Sequence, residues 1–483
     1  MDADEAAGGP GGVEPWLRRH PTLPEVVEKV GFGAGQAVAI AAACGVFFAE
    51  GLQLLVVCLL APAVAEEIDE DGASRGFMIS SVFFGALVGN LLSGMLADLV
   101  GRRLPILVAY VTTVLFAVVG SFMNSLWSVS AVLAVVGLGL GLGQPAAVAL
   151  VSELSPRRRQ LESITHSSVF FGLGAAVAVL MVMCKDAWLD PSDGVQWRLS
   201  FRLAAGVVAL LGFGSIFLLP ESPSFLASVG EGAQARDVLE ALRRRNGKPG
   251  VPVLFRSGEV LGRAPSLAGV LGDVLGPERR AGTLRLCFVA LVQSFVLYGC
   301  GYAVPQALAW ALPRDGDASV APMTVLLLAL VLAGTVLLAA AVACGRPTGS
   351  VKISINVCLA LSSASALVFG TAVGQPDPAF ATRLLLLLSC VGLCAGPAFC
   401  SLCLLQASAS MFPAPACATG AALCLGLGRV GAAAAPLVAD LVLRATGRWG
   451  GFFILCTLME VAALLVVDSL PLPDWAHRAE SSL

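Results

Sequence analysis

The apolar residues of this chain fall into long blocks separated by short polar breaks. Blocks occupy 36–60, 77–97, 104–124, 128–151, 163–184 and 200–219. After a polar interval over 221–281 they resume at 284–308, 321–343, 353–373, 384–411, 417–441 and 451–468. Crossing a bilayer as a helix takes roughly 20 apolar residues, so each block predicts one span, twelve in all. The pattern predicts an all-α membrane protein with twelve transmembrane helices in two six-helix halves, 36–219 and 284–469. Tails over 1–35 and 470–483 and a connecting loop over 220–283 complete the division. Within that loop, GEGAQARDVLEALRRRNG puts Val238, Leu239 and Leu242 on one face of a short amphipathic helix. The spans are rich in small residues, as in GLGLGLGQPAA at 137–147. Helices in lipid need such residues to approach closely.

Composition strengthens the membrane reading and removes other classes. Of 483 residues, 57% are hydrophobic and 13% charged, about half the charged share of a soluble domain. Fourteen Cys lie mostly inside apolar runs and only three His are present. Their spacing suits neither a disulfide framework nor a metal site. No GxxxxGK[ST] loop offers itself to nucleotide phosphates, and the polar segments hold no nucleophile–base set. Neither an enzyme activity nor a cofactor nor direct ATP drive is expected. A net charge of −3, spread between loops, implies no nucleic-acid partner. The N-terminal stretch MDADEAAGGPGGVEPWLRRHPTLP is acidic and Gly/Pro-rich, and reads as a soluble tail rather than a cleaved signal. Basic residues gather in loops after even-numbered spans, such as Arg102–Arg103 and Arg157–Arg158–Arg159. The positive-inside rule then makes both termini cytoplasmic. Whether the membrane is the plasma membrane or that of an intracellular vesicle stays open.

The string GMLADLVGRR at 94–103 sets Asp98 at the C-terminal end of span 2, where a carboxylate opposes the helix dipole and needs a partner. Arg102 and Arg103 stand beside it. On physical grounds the cluster is either an interfacial charge pair that fixes topology or a fastener between the two halves.

This string resembles the loop signature that follows the second helix in the major facilitator superfamily. EKVGFGAGQ, AEGLQLLVVCLLAPA, SELSPRRR, QWR, PESPSFLASVGEGAQARDVLEALRRRNG and GLGRVGAAAAP narrow the likeness to the synaptic-vesicle-two-related proteins and the organic cation/anion transporters. The short, Cys-free EEIDEDGASRG after span 1 favours the vesicle-related branch. The resemblance implies a transporter working by alternating access, secondary active or facilitative. It also implies a latch between halves carried by Gly94, Asp98, Gly101, Arg102 and Arg103, with Glu153 and Arg157 alongside.

Ions inside spans are functional candidates by default, because each costs about 2.5–3.5 kcal/mol at the bilayer centre. Glu50 is the one convincing acid within a span, and Gln53 lies one helical turn on. Glu50 could take a cationic solute or carry a proton, or stand as a solvated acid near the external mouth. Arg429, the basic residue well inside span 11, is available to an anionic group or to Glu50. Gln293, Tyr298 and Phe170 are candidate lining groups, with Tyr302 and Phe171 beside them. His166 reads as an ordinary interfacial residue. The expected partners are a small, charged organic solute, protons as a candidate co-ion, and membrane lipids, with the chain a monomer. Two alternatives stay open: a non-transporting receptor or scaffold that retains the fold, and a sugar porter-like transporter. The first is suggested by uncharged Ser410 and Cys417, where the family usually has Glu and Arg.

Overall fold

The computed structural model describes residues 21–68, 73–156, 159–188, 197–255, 274–311, 351–373, 380–411 and 417–470. Fourteen helices occupy them: α1 (Leu23–Val30), α2 (Ala34–Ile68), α3 (Ala73–Val100), α4 (Arg103–Gly120), α5 (Leu126–Leu154), α6 (Gln160–Trp188), α7 (Trp197–Leu218), α8 (Pro223–Ser228), α9 (Gly232–Arg245), α10 (Arg280–Ala311), α11 (Val351–Ala372), α12 (Phe380–Met411), α13 (Cys417–Thr446) and α14 (Gly450–Val467). Eleven of the fourteen are long and apolar enough to cross a membrane. They match eleven of the twelve expected spans; the block at 321–343 lies outside the described residues.

Packing separates these helices into two groups. In the first, α5 lies against α3 and α4, and α2 against α6 and α7; in the second, α10 lies against α13, and α11 against α12 and α14. Contacts of α3 with α13, of α2 with α10 and of α6 with α12 join the groups. The sequence explains the closest of the packings within the first group. A Cβ at Gly85 of α3 would land on the Ala134 carbonyl, and one at Gly137 or Gly141 of α5 on the carbonyls of Val82 or Ala86. Backbone therefore meets backbone where lipid-embedded helices have little apolar transfer energy to hold them. Large apolar side chains such as Leu210 and Leu465, each 75% exposed, cover the outer surface.

The polar interval forms α8 and α9. Ser222 caps α8 by accepting from the Phe225 N–H at 3.1 Å, with Pro223 at the first helical position. Leu239 and Leu242 of α9 are buried, as the amphipathic pattern requires, and Val238 packs beside them. Asn246 then binds the start of α2, its amide donating to Gln36 Oε1 at 2.7 Å and its oxygen accepting from the Gly35 N–H at 3.0 Å.

Candidate functional site

Four helices from both groups bring polar side chains together in the middle of the bundle. Arg429 of α13 places Nη1 2.9 Å from Glu50 Oε1 of α2, with 8% and 7% of the two side chains exposed. The same Nη1 donates to the Tyr298 hydroxyl of α10 at 2.7 Å, and Nη2 donates to Gln144 Oε1 of α5 at 2.5 Å. The Tyr298 hydroxyl in turn donates to Glu50 Oε1 at 3.2 Å. The guanidinium also sits over the Tyr298 ring, 5.2 Å from its centroid. Phe83 and Phe171 flank that ring at 4.6 Å and 6.4 Å between centroids. Two residues thus come from the second group, Tyr298 and Arg429, and four from the first.

Two buried side-chain amide nitrogens have no partner among the described residues: Gln53 Nε2, one turn along α2 from Glu50, and Gln144 Nε2. Gln293 lies apart from the cluster, donating to the Pro397 carbonyl and to Ser401 Oγ of α12. Phe170 packs against the core beside Phe171. His166 is half-buried on α6, its Nδ1 2.9 Å from the Glu162 carbonyl.

The loop after α3 is tied to its own group of helices. Gly101 takes φ +97°, a region glycine enters without strain, and turns the chain out of α3. Glu221 accepts from the Arg102 and Arg103 backbone N–H groups at 2.8 Å and 3.2 Å. Arg102 reaches Glu153 Oε1 of α5 at 3.1 Å and the Ala97 carbonyl at 2.9 Å, and Arg103 reaches the Ile216 carbonyl of α7 at 2.6 Å. Gly94 faces open space. Asp98 lies on the last turn of α3; its side chain, like the whole of Arg157, lies outside the described residues.

The contact between α3 and α13 carries hydrogen bonds near the start of α3 and apolar contact further along. Near the start of α3, the Gly76 N–H donates to Asp440 Oδ2 at 3.0 Å and Ser80 Oγ to the Ala433 carbonyl at 2.6 Å. Further on, Leu87 and Leu91 stand 3.7 Å and 3.5 Å from where a Gly426 Cβ would lie. No described atom lies within 4 Å of where a Gly94 Cβ would stand.

Asp440 and Glu460 correct one expectation. Glu50 is not the single acid within the spans: Asp440 of α13 is 5% exposed and Glu460 of α14 is fully buried. Both sit in blocks whose apolar runs masked a lone acid, Asp440 near a charged helix end. Gln144 was equally hidden, inside a glycine run that reads as packing. An uncharged polar residue preceding Pro145 in the middle of a span was the available signal. Outside the spans, Glu67 at the end of α2 accepts from Trp197 Nε1 at 2.5 Å and from Arg198 Nη1. The Arg198 hydrogen bond holds its carboxyl below the usual carboxylate range.

A bundle of membrane-length helices in two groups, with a buried polar cluster between them, defines a multi-pass membrane protein. Comparison with known proteins gives the family. Residues 47–251 match the sugar (and other) transporter family. The 4-hydroxybenzoate transporter PcaK of Pseudomonas aeruginosa is 30% identical over 392 residues, covering 80% of this chain and 82% of that protein. The synaptic vesicle 2-related protein of Xenopus laevis is 25% identical over 278 residues, 57% of this chain and 48% of its own length. The xylose transporter XylE from E. coli, in a partially occluded inward open conformation, superposes with a TM-score of 0.70. That match, at 15% identity, covers 91% of this chain and 99% of the other. The chain belongs to the major facilitator superfamily. It is a transporter of a small organic solute, not an enzyme.

Proposed function

We propose that the chain carries small organic anions together with protons by alternating access. Arg429 takes the solute's carboxylate and Glu50 takes the proton. The observation that carries this reading is the Glu50–Arg429 pair itself, buried at 2.9 Å between the two groups of helices. A solute carboxylate that captures Arg429 leaves Glu50 with an uncompensated charge in a dry site, and a proton removes it. Solute and proton are then bound together and released together. Gln144 keeps the guanidinium in place throughout, since its contact does not involve Glu50, whereas the Tyr298 hydroxyl bridges Arg429 and Glu50. A cation at Glu50 would instead leave the Arg429 charge without a counter-ion. The aromatic walls Phe83, Phe171 and Tyr298 suit a planar apolar body, and a relative bears the name of 4-hydroxybenzoate, an aromatic carboxylate.

Gln53, Gln293 and Phe170 complete the solute's path in this reading. The halves 36–219 and 284–469 move as two bodies, with Gly94, Asp98, Gly101, Arg102, Arg103, Glu153 and Arg157 bracing the Arg102 end when it closes. Placing that end in the cytoplasm, with both termini, follows the loop charges. With the Gly76 end held by Asp440 and Ser80, the arrangement reads as the inward-facing one. The chain works as a monomer in lipid.

Proteoliposomes loaded with a pH-sensitive dye test the proposal. Adding an aromatic carboxylate outside acidifies the lumen beyond protein-free vesicles with the natural chain, but not with Glu50→Gln. Carboxylate uptake without acidification would remove the proton from the scheme, and uptake of organic cations alone would remove the anion.

A further inference from the structure

Asp440 is a buried carboxylate that solute binding at Arg429 does not use. It lies eleven residues along α13 from Arg429, about 16 Å at the helical rise. Its side chain joins the two groups of helices: Oδ2 accepts from the Gly76 N–H of α3 at 3.0 Å, and Oδ1 from the Tyr302 hydroxyl of α10 at 2.6 Å. The position at 76 is shaped for this contact, since a Cβ there would lie 2.6 Å from Asp440 Oδ2 and 3.0 Å from the Pro436 carbonyl. Tyr302 is fully buried beside it. The titratable and charged groups around Asp440 are Tyr302 on α10, Arg75 on α3, and Arg444 one turn further along α13.

We infer that Asp440 is a second proton-binding site, built into the contact that closes the Gly76 end, and that its protonation opens that end. Both oxygens act as acceptors, one for each group of helices, and that is the arrangement of the ionised carboxylate. The opening turn of α3 brings the partial positive charge of a helix N-terminus, and Arg75 adds a full one; both hold the anion. A proton on Oδ2 sets a donor against the Gly76 N–H, and a proton on either oxygen cancels the charge that faces α3 and Arg75. Each change favours separation of α3 from α13 at this end. The inference stands whichever solute is carried.

The test uses the full chain in detergent with a Ser80→Cys reporter, because Ser80 is 7% exposed within the same contact. Maleimide labelling at residue 80 is followed by peptide mass and normalised, at each pH, to the denatured chain. Acidification from neutral pH raises labelling about tenfold, the scale of losing one hydrogen bond to a charged group. With Asp440→Asn the labelling no longer depends on pH. With Tyr302→Phe, which keeps the packing and removes one donor, labelling is already raised at neutral pH and rises further in acid. Flat labelling in the reporter chain, an unchanged acid response in Asp440→Asn, or neutral-pH labelling unmoved by Tyr302→Phe would each overturn the inference. Should Asp440→Asn not fold, the reporter chain and Tyr302→Phe decide the matter between them.

Discussion

Arg429 and Glu50 meet across the two halves at 2.9 Å, each with less than a tenth of its side chain exposed. A pair like this is weak support for stability as such, because desolvating two ions offsets most of their attraction. Its value lies in what happens when one partner is withdrawn, which is the situation an incoming solute creates.

Withdrawing a partner by mutation reproduces that situation. Glu50→Gln leaves the guanidinium buried without its counter-ion and destabilises the chain by about 3–5 kcal/mol. Arg429→Gln behaves similarly, and the double variant recovers most of the loss. Thermal unfolding in detergent checks this; additive losses in the double variant would contradict a pair.

The glycines between α3 and α5 are held by backbone contact. Gly137→Ala, whose methyl would meet the Val82 carbonyl, forces the helices apart and costs about 1–3 kcal/mol. Gly206→Ala, at a position with nothing within 4 Å, is neutral or stabilising by up to about 1 kcal/mol. The two variants, unfolded side by side, separate packing from helix propensity.

The turn after α3 depends on Gly101 and Glu221 together. Gly101→Ala forces a side chain into left-handed backbone at a cost of about 1–2 kcal/mol, and its methyl crowds the Glu221 carboxylate. Melting temperature falls accordingly, and transport falls with it if this loop braces the closed Arg102 end.

Glu67 supplies a pH dependence whose sign is fixed. Its carboxyl is held below the ordinary value of 4.5, first by the hydrogen bond from Arg198. That contribution is present above the unfolded value and is lost as pH falls through the lower folded one. Glu67→Gln therefore lowers stability near neutral pH and flattens its decline in acid below 4.5. A Glu67→Gln chain that declines as steeply as the natural one would contradict the assignment.

The helices were legible because a block of apolar residues has one stable state in lipid, a helix with its backbone satisfied internally. Glu50 and Arg429 were legible for the converse reason: a charge in such a block is costly and stands out. Their distance was not legible, since residues 50 and 429 belong to opposite halves and only the fold brings them together. Gln144 escaped because an amide among glycines carries no charge to mark it. Asp440 escaped because Arg444 one turn away makes the segment look like a helix end at the surface. The partners of Arg102 are partly legible: the family resemblance sets Glu153 alongside it, whereas Glu221 stands in the sequence only as one letter of PESPSF.

The central claim is that Arg429 receives an anionic solute, and thermal stability of the purified chain against matched solutes tests it most directly. A ligand that binds the folded state raises apparent stability by mass action. An aromatic carboxylate should raise the melting temperature of the natural chain, its amide should not, and the rise should vanish in Arg429→Gln. Stabilisation by an organic cation, lost in Glu50→Gln and retained in Arg429→Gln, would contradict the account.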